Sequence, residues 1–241
     1  MWPDYFKHPA GKSLIIILVS ILAIGLIAKL QKSHAGSGVD LLLVIALDVS
    51  ASVDDNEYEL MVDGLAHAFK SREIVQAISA GKIGAVGICI TQWSGFNEQE
   101  IKIDWVKVAN KTELSQLAEN IKKMKRRYRG GATDIGGSID FSSTLFAKSG
   151  LSSSRRVIDV VGDGPNNVNY SPNRARDKAV KSGIVINALA ITGGYEVLAG
   201  YFEDLVIGGD GAFVEKASDF DGFRRAILRK LLREIGNLLL F

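Results

Sequence analysis

Short apolar runs without charge alternate along the chain with segments in which apolar residues recur every three or four positions. Uncharged runs of this length are typical of strands buried on both faces of a sheet. They are Leu41 to Leu47, Ile83 to Thr91, Val157 to Val161, Ile184 to Ile191 and the shorter Ala212 to Glu215. Residues Ile101 to Val106 alternate instead and follow the second run through a turn with Gly95 and Asn97, which predicts an antiparallel edge strand in a hairpin.

The intervals between these strands carry the helical period. Predicted helices run from Asp54 to Phe69, from a Thr112 cap to Met124, from Ile135 to Phe146, from Ser171 to Val180, from Val197 to Leu205 and from Phe220 to Ile235. Strands that alternate with helices imply crossover connections and a parallel sheet. We therefore expect one α/β domain over residues 38–236, with a doubly wound, mostly parallel sheet, one antiparallel edge strand and helices on both faces.

The first 35 residues differ from the rest in composition. Leu14 to Ala28 is apolar and uncharged and lies between Lys12 and Lys29. As a helix it would reach roughly 22 Å, short of the roughly 30 Å hydrocarbon core of a bilayer. We expect residues 1–35 to be a signal peptide cleaved near Ala35, which would place the domain in the periplasm or outside the cell. An uncleaved inner-membrane anchor with the domain in the periplasm is the alternative.

Charge and cysteine content restrict the partners. The 241-residue chain has a net charge of +2 and 23% charged residues, but the first 35 residues contribute +3, which leaves about −1 for the rest. Nucleic acid is therefore not an expected partner, and a membrane is expected only through the N-terminal segment if it is uncleaved. Cys89 is the single cysteine, so an intrachain disulfide is excluded. Residues 237–241 form a short apolar tail to which we assign no role.

Oxygen-bearing side chains follow two of the predicted strands. Asp48, Ser50 and Ser52 alternate with apolar residues directly after the first strand, and Asp163 follows Val157 to Val161. Thr133 lies on a third loop, behind a glycine pair that lets the backbone approach closely. Because ligands of open parallel sheets bind at the carboxyl ends of the strands, these side chains predict a site for a hard cation there. Ser50, Ser52 or Asp54 could instead cap the following helix, and Asp163 could be a turn residue.

The combination Asp48-x-Ser50-x-Ser52, Thr133 and Asp163-Gly164 resembles the metal ion-dependent adhesion site of von Willebrand factor type A domains. The resemblance covers roughly Val39 to Glu234. More specifically, Leu43 to Asp54, Gly131 to Gly137 and Val160 to Asn166 resemble an uncharacterised bacterial family of exported type A-like proteins. This resemblance implies that Ser50, Ser52 and Thr133 are hydroxyl ligands of a metal ion and that Asp48 and Asp163 are its carboxylate ligands, some of them acting through water.

The implied ion is Mg²⁺, with Mn²⁺ or Ca²⁺ as alternatives, because such a site offers oxygen ligands and few carboxylates. An ion held in this way keeps positive charge and is expected to take an Asp or Glu of an unknown protein partner as its last ligand. The expected function is therefore a non-enzymatic, metal-dependent adhesion or assembly module. Asp134, Asn166 and Asn167 lie next to the proposed ligands and are candidates for supporting bonds or for partner contacts.

Two other functions stay open. A metal-dependent phosphohydrolase could use Asp48 as nucleophile, but position 50 is Ser50 where such enzymes need a second aspartate. A structural subunit could carry a metal site on which nothing docks. Near the site, Trp93 and Phe96 are interpreted as an exposed aromatic rim or as packed loop residues. The basic run from Lys122 to Arg129 is interpreted as a solvated helix face or as a surface that steers an acidic ligand.

Overall fold

A six-stranded sheet forms the centre of the protein. The computed structural model describes residues 38–193 and 195–236. The strand order is β3-β2-β1-β4-β5-β6, and every neighbouring pair is parallel except β2 and β3. This confirms the predicted fold class. The strands are β1 (Leu41–Asp48), β2 (Val86–Trp93), β3 (Gln99–Val108), β4 (Arg156–Gly162), β5 (Val185–Ile191) and β6 (Val214–Ala217).

Seven α-helices lie within the described residues and cover both faces of the sheet, and a short 3-10 helix (Phe146–Lys148) follows the fourth of them. The α-helices are α1 (Asp55–Lys70), α2 (Arg72–Ser79), α3 (Lys111–Lys122), α4 (Ile135–Leu145), α5 (Pro172–Lys181), α6 (Val197–Leu205) and α7 (Phe220–Gly236). Residues of α1, α2, α3 and α7 form one apolar layer, and residues of α4, α5 and α6 form the other. Alternate residues of β1 point into opposite layers, which explains why this strand contains no polar residue before Asp48.

The strand register brings the predicted site loops to one edge of the sheet. Asp48 of β1 is paired with Trp93 of β2, and Leu47 is paired with Val161 of β4. The carboxyl ends of these three parallel strands therefore end at the same level. The loops after β1 and β4 and the loop before α4 meet above this edge.

The structure corrects several predicted element ends. Helix α3 is capped by Asn110, whose side chain accepts a 3.1 Å bond from the Glu113 N–H, so the predicted Thr112 cap was wrong. Strand β2 begins at Val86, because Ile83 is 53% exposed and its N–H bonds the Asp40 carboxylate. Helix α2 was not predicted, although Ser71 caps it by accepting from the Ile74 N–H.

A buried ionic cluster holds α7 against β4. The Lys230 ammonium lies 2.6 Å from Asp159 and 3.0 Å from Glu234, and all three side chains are almost completely buried. Asn187 donates a 2.6 Å hydrogen bond to the same Glu234 oxygen. These bonds compensate for removing the charges from water, so they tie the last described helix to the sheet.

Cys89 is buried, and burial raises the pKa of its thiol to about 12, so it has no thiolate at neutral pH.

No helix among the described residues is long and apolar enough to cross a membrane. The predicted leader over residues 1–35 and the apolar tail over residues 237–241 lie outside the described residues. The division of the chain into leader, domain and tail stays a prediction.

Candidate metal centre

Asp48 is a buried carboxylate with one oxygen left without a partner. Its side chain is fully buried at the end of β1, and Oδ1 accepts a 2.7 Å bond from the Ser50 N–H. Oδ2 is buried and has no hydrogen-bond partner among the described residues. A Cβ placed on Gly162 would lie 3.2 Å from this oxygen, so the glycine keeps the space beside Oδ2 open. An unpaired buried carboxylate oxygen is costly unless a cation or a proton binds it.

The electrostatics of Asp48 agree with this requirement. Burial raises its pKa to about 7, and the nearby Asp163 carboxylate adds to the rise, while bonds from Ser50 and the charge of Arg126 oppose it. Burial also raises the pKa of Asp163. Two neighbouring carboxyl groups whose pKa values are both raised by burial form a place where a divalent cation would be strongly stabilised.

Three hydroxyl groups lie between these two carboxyl groups. The Ser50 and Ser52 hydroxyl oxygens are 3.3 Å apart, the Thr133 hydroxyl donates to Ser50 Oγ at 3.3 Å, and the Ser52 hydroxyl donates to Asp163 Oδ1 at 2.7 Å. Neighbouring ligands of an octahedral Mg²⁺ with bonds of about 2.1 Å lie about 3.0 Å apart. The spacing of these oxygens therefore fits a shared hard cation.

The chemical type of the ligand set agrees with that fit. Within the described residues, no group of three His, Cys, Asp or Glu side chains could hold a metal ion. A cation at this edge would therefore depend on the hydroxyl oxygens as well as on Asp48 and Asp163. Oxygen-only sites of this kind suit Mg²⁺, Mn²⁺ or Ca²⁺, which are hard cations.

The loop before α4 approaches the loop after β1 through its backbone. The Ala51 N–H donates to the Gly131 carbonyl at 3.1 Å. A side chain at Gly131 would collide with Ser94 and Glu98, so a glycine is required for this approach. The contact places Thr133 beside Ser50, which is how residues distant in the sequence come to share one site.

Asn166 and Asn167 fasten the Thr133 loop to the loop after β4. Asn167 Oδ1 accepts from the Thr133 N–H at 2.7 Å, and its amide donates to the Thr133 hydroxyl at 3.5 Å. Asn166 Oδ1 accepts from the Ile135 N–H at 3.0 Å. Both side chains face the loop backbone, so they hold the threonine in place.

Asp134 and Asp54 are helix caps. The Asp134 side chain accepts from the Gly137 N–H at the start of α4, and Asp54 accepts from the Glu57 N–H at the start of α1. Because Asp54 caps α1, Ser50 and Ser52 are free of that role. Their hydroxyls are directed to each other, to Thr133 and to Asp163.

The aromatic and basic residues near the site divide into buried and exposed members. Trp93 is fully buried and donates its indole N–H to the Ala46 carbonyl, so it does not form a rim, whereas Phe96 is 76% exposed. The basic run leaves the helix after Lys122, so it is not one helix face. Arg126 in this run is buried against the loop after β1, a position that the charge pattern did not indicate.

Comparison with known structures identifies the fold. Proximal thread matrix protein 1 from the mussel byssus superposes with a TM-score of 0.57 at 18% identity over 84% of this chain and 49% of its own. A von Willebrand factor type A protein from Catenulispora acidiphila gives 0.53 at 12% identity over 83% and 43%. The pilus adhesin SpaC from Lactobacillus rhamnosus GG gives 0.58 at 12% identity over 82% and 30%. The chain has the fold of these structures, one of which is a von Willebrand factor type A protein, and it spans about half or less of their length.

The family follows from the sequence itself. Residues 38–239 match the family described as "Protein of unknown function (DUF1194)", and the chain belongs to it. No curated protein matches the chain significantly. One structure of the mussel protein, similar at 18% identity and a TM-score of 0.55 over 84% of this chain and 48% of its own, has a zinc-occupied metal ion-dependent adhesion site motif.

Proposed function

We propose that this protein is a metal-ion-dependent protein-binding module for adhesion or assembly. The ion is Mg²⁺, with Mn²⁺ or Ca²⁺ as alternatives, and its ligands are Asp48, Ser50, Ser52, Thr133 and Asp163. The observation that carries the proposal is the buried Oδ2 of Asp48, which has no partner among residues 38–193 and 195–236, together with three hydroxyl oxygens spaced at 3.3 Å.

The charge of such a centre favours an acidic ligand. If one of the two carboxylates acts through water, the direct ligands of the divalent ion carry a single negative charge and leave the ion locally positive. Mg²⁺ also keeps exchangeable waters in most protein sites, which leaves a position for a ligand from outside. An Asp or Glu of a protein partner supplies both the oxygen and the missing negative charge.

The surface around the site has room for a protein segment. A cleft of about 490 Å³ adjoins Asp163 and has an apolar part formed by Leu60, Tyr195 and Phe220. The rest of its lining includes the acidic residues Asp54, Glu57, Asp219 and Asp221, so an acidic partner group would depend on the ion for its attraction. Phe96 is exposed on the β2–β3 turn. Exposed aromatic side chains are frequent anchors in protein interfaces, so these features support docking of a protein.

The similar structures support this class of function. One of them is a pilus adhesin, one is a matrix protein of mussel byssus, and a structure of the latter holds zinc at this type of motif. An adhesion module acts outside the cytoplasm, which agrees with the proposed export or anchoring through residues 1–35. The domain would then comprise residues 38–236, with 237–241 as a tail.

The burial of Asp48 argues against the hydrolase alternative. A nucleophilic carboxylate must reach the substrate, and Asp48 has no exposed surface. Turnover of phosphate esters that is lost in Asp48→Asn would overturn this assignment. The structural-subunit alternative predicts that chelation changes neither stability nor partner binding.

A capture experiment tests the proposal. The immobilised protein is incubated with an envelope extract of the source organism in Mg²⁺ or in EDTA, and bound proteins are identified by mass spectrometry. Thr133→Val removes one proposed ligand, and Thr144→Val is the matched control because Thr144 is exposed and its hydroxyl donates to the Phe141 carbonyl within its own helix. We expect capture by the wild type and the control in Mg²⁺ only. Equal capture in EDTA, or by Thr133→Val, would contradict the proposal.

A further inference from the structure

The segment between α3 and α4 carries one buried arginine among exposed basic residues. The side chain of Arg126 is 5% exposed, whereas those of Arg127 and Arg129 are 64% and 65% exposed. Burying a guanidinium is costly unless it is well bonded, because it loses its hydration. The position of Arg126 therefore calls for a specific function.

Arg126 binds both ends of the loop that carries Ser50 and Ser52. One terminal nitrogen donates to the Ser50 carbonyl at 3.0 Å and to the Val49 carbonyl at 3.3 Å. The other donates to Asp55 Oδ1 at 3.1 Å, in the first turn of α1. The planar guanidinium thus spans the loop from the end of β1 to the start of α1, a geometry that a lysine ammonium cannot reproduce.

The backbone on each side of Arg126 is itself fixed to the sheet. Gln92, fully buried near the end of β2, accepts a 2.9 Å bond from the Arg127 N–H and donates a 3.3 Å bond to the Lys125 carbonyl. The Gln92 amide also donates to the Tyr58 hydroxyl at 2.7 Å. A buried side chain that bonds the residues before and after Arg126 sets where its guanidinium lies.

We propose that Arg126 is a positioning residue of the metal centre, one that holds the Ser50–Ser52 loop in its metal-binding form and keeps the Val49 and Ser50 carbonyls away from the ion. This inference rests on the proposed metal site. Arg126 contacts none of the proposed ligand oxygens. It acts through the backbone of Ser50, whose hydroxyl is the one that contacts both Ser52 and Thr133.

Arg126→Lys separates positioning from simple electrostatics, because it keeps the positive charge beside the loop but loses the planar guanidinium that spans it. If Arg126 positions the loop, its removal weakens binding, because the hydroxyl oxygens lose their arrangement before the ion arrives. Substitutions of residues that orient metal ligands typically weaken metal affinity by about 10–100-fold.

The test uses Mn²⁺ as the probe, with affinity measured by calorimetry and the hydration of the bound ion by water-proton relaxation. Arg126→Met removes both the planar guanidinium and its charge, and Arg126→Lys keeps the charge and most of the side-chain volume. Arg129→Met is the matched control, because Arg129 also pairs with Asp55 but is exposed and bonds no carbonyl of the loop.

We expect both Arg126 variants to bind Mn²⁺ at least tenfold more weakly, with more water on the bound ion, and Arg129→Met to stay within twofold. A substitution that only lowers stability would leave the hydration of the bound ion unchanged. Affinity within twofold of wild type, or tighter binding by Arg126→Met, would overturn the inference alone. If Arg126→Met does not fold, the Arg126→Lys result decides. Absence of Mn²⁺ binding by the wild type would overturn the proposed function as well.

Discussion

Replacing Asp48 by asparagine should stabilise the metal-free protein as the pH rises, although it removes a ligand of the proposed ion. In the absence of metal and above about pH 7, Asp48 holds a negative charge in a fully buried position, with Oδ2 lacking a partner within the described part of the chain. Asparagine has nearly the same shape and no charge. It also keeps an acceptor for the Ser50 N–H.

The magnitude follows from the pKa of Asp48, which rises from the ordinary 3.8 to about 7. A folded-state pKa above the unfolded value means that the folded protein binds the proton more tightly. The resulting destabilisation is absent below about pH 4, grows as the pH rises through both values, and is complete above about pH 7. A shift of about three units corresponds to roughly 4 kcal/mol, of which about 2 to 3 kcal/mol develops between pH 5 and pH 8.

Urea unfolding in EDTA at pH 5 and pH 8 measures this effect. Between the two pH values, the unfolding free energy of the wild type should fall by about 2 to 3 kcal/mol relative to Asp48→Asn. The unpartnered amide of the variant costs about 1–3 kcal/mol at both pH values, so it cancels in this difference. Asp210→Asn is the control, because Asp210 is exposed in a turn.

Metal should stabilise the wild type and not the variant. At 100 times its Kd, Mg²⁺ stabilises the folded wild type by about 2.7 kcal/mol and should leave Asp48→Asn unaffected. The reasoning would be refuted by a wild type whose stability follows that of Asp48→Asn across the pH range in EDTA. It would be refuted equally if Mg²⁺ stabilised both proteins to the same extent.

Three further substitutions, each measured by urea unfolding, test the account of the fold. Lys230→Ala should cost about 3 kcal/mol or more, because it leaves buried carboxyl groups without their counter-charge, and a loss below 1 kcal/mol would contradict this. Gly64→Ala should destabilise by about 1 kcal/mol or more, since the new methyl would lie 2.9 Å from the Phe223 ring; a gain in stability would be inconsistent with that contact. Asn110→Ala should cost about 1 kcal/mol and Thr112→Ala less than about 0.5 kcal/mol, and the reverse order would restore Thr112 as the cap.

The sheet and the convergence of the proposed ligands could both be predicted from the sequence. Both depend on local patterns, namely uncharged apolar runs and the polar residues at their ends. The apolar run of β1 fixes a strand buried on both faces, and a side chain that follows such a strand must emerge at its carboxyl end. Asp48 ends β1 and Asp163 follows β4, and these two strands are adjacent and parallel, so the proximity of the two residues is a consequence of strand order. Ser52 and Asp163 lie within hydrogen-bond distance, as this reasoning requires.

The supporting residues were not predictable in the same way. In the sequence, Arg126 is one cation in a basic run. Its position against the Ser50–Ser52 loop depends on the bonds that Gln92 makes to the backbone of Lys125 and Arg127. Trp93 lies at a strand end, where the sequence does not show that its indole N–H reaches the Ala46 carbonyl across the sheet. Such contacts depend on tertiary distances, which periodicity does not encode. Asn110 is the exception, since its position before Glu113 is a recognisable capping pattern.

The central claim is that a divalent cation binds among the side-chain oxygens of Asp48, Ser50, Ser52, Thr133 and Asp163. Anomalous diffraction from crystals of the protein soaked in Mn²⁺ tests it most directly, because the manganese signal locates the ion independently of any assumed ligand. The account predicts a strong peak within ligand distance of the Ser50 and Ser52 hydroxyls at the carboxyl edge of the sheet, and no such peak in Asp48→Asn crystals. A peak elsewhere on the surface with none at this edge would contradict it.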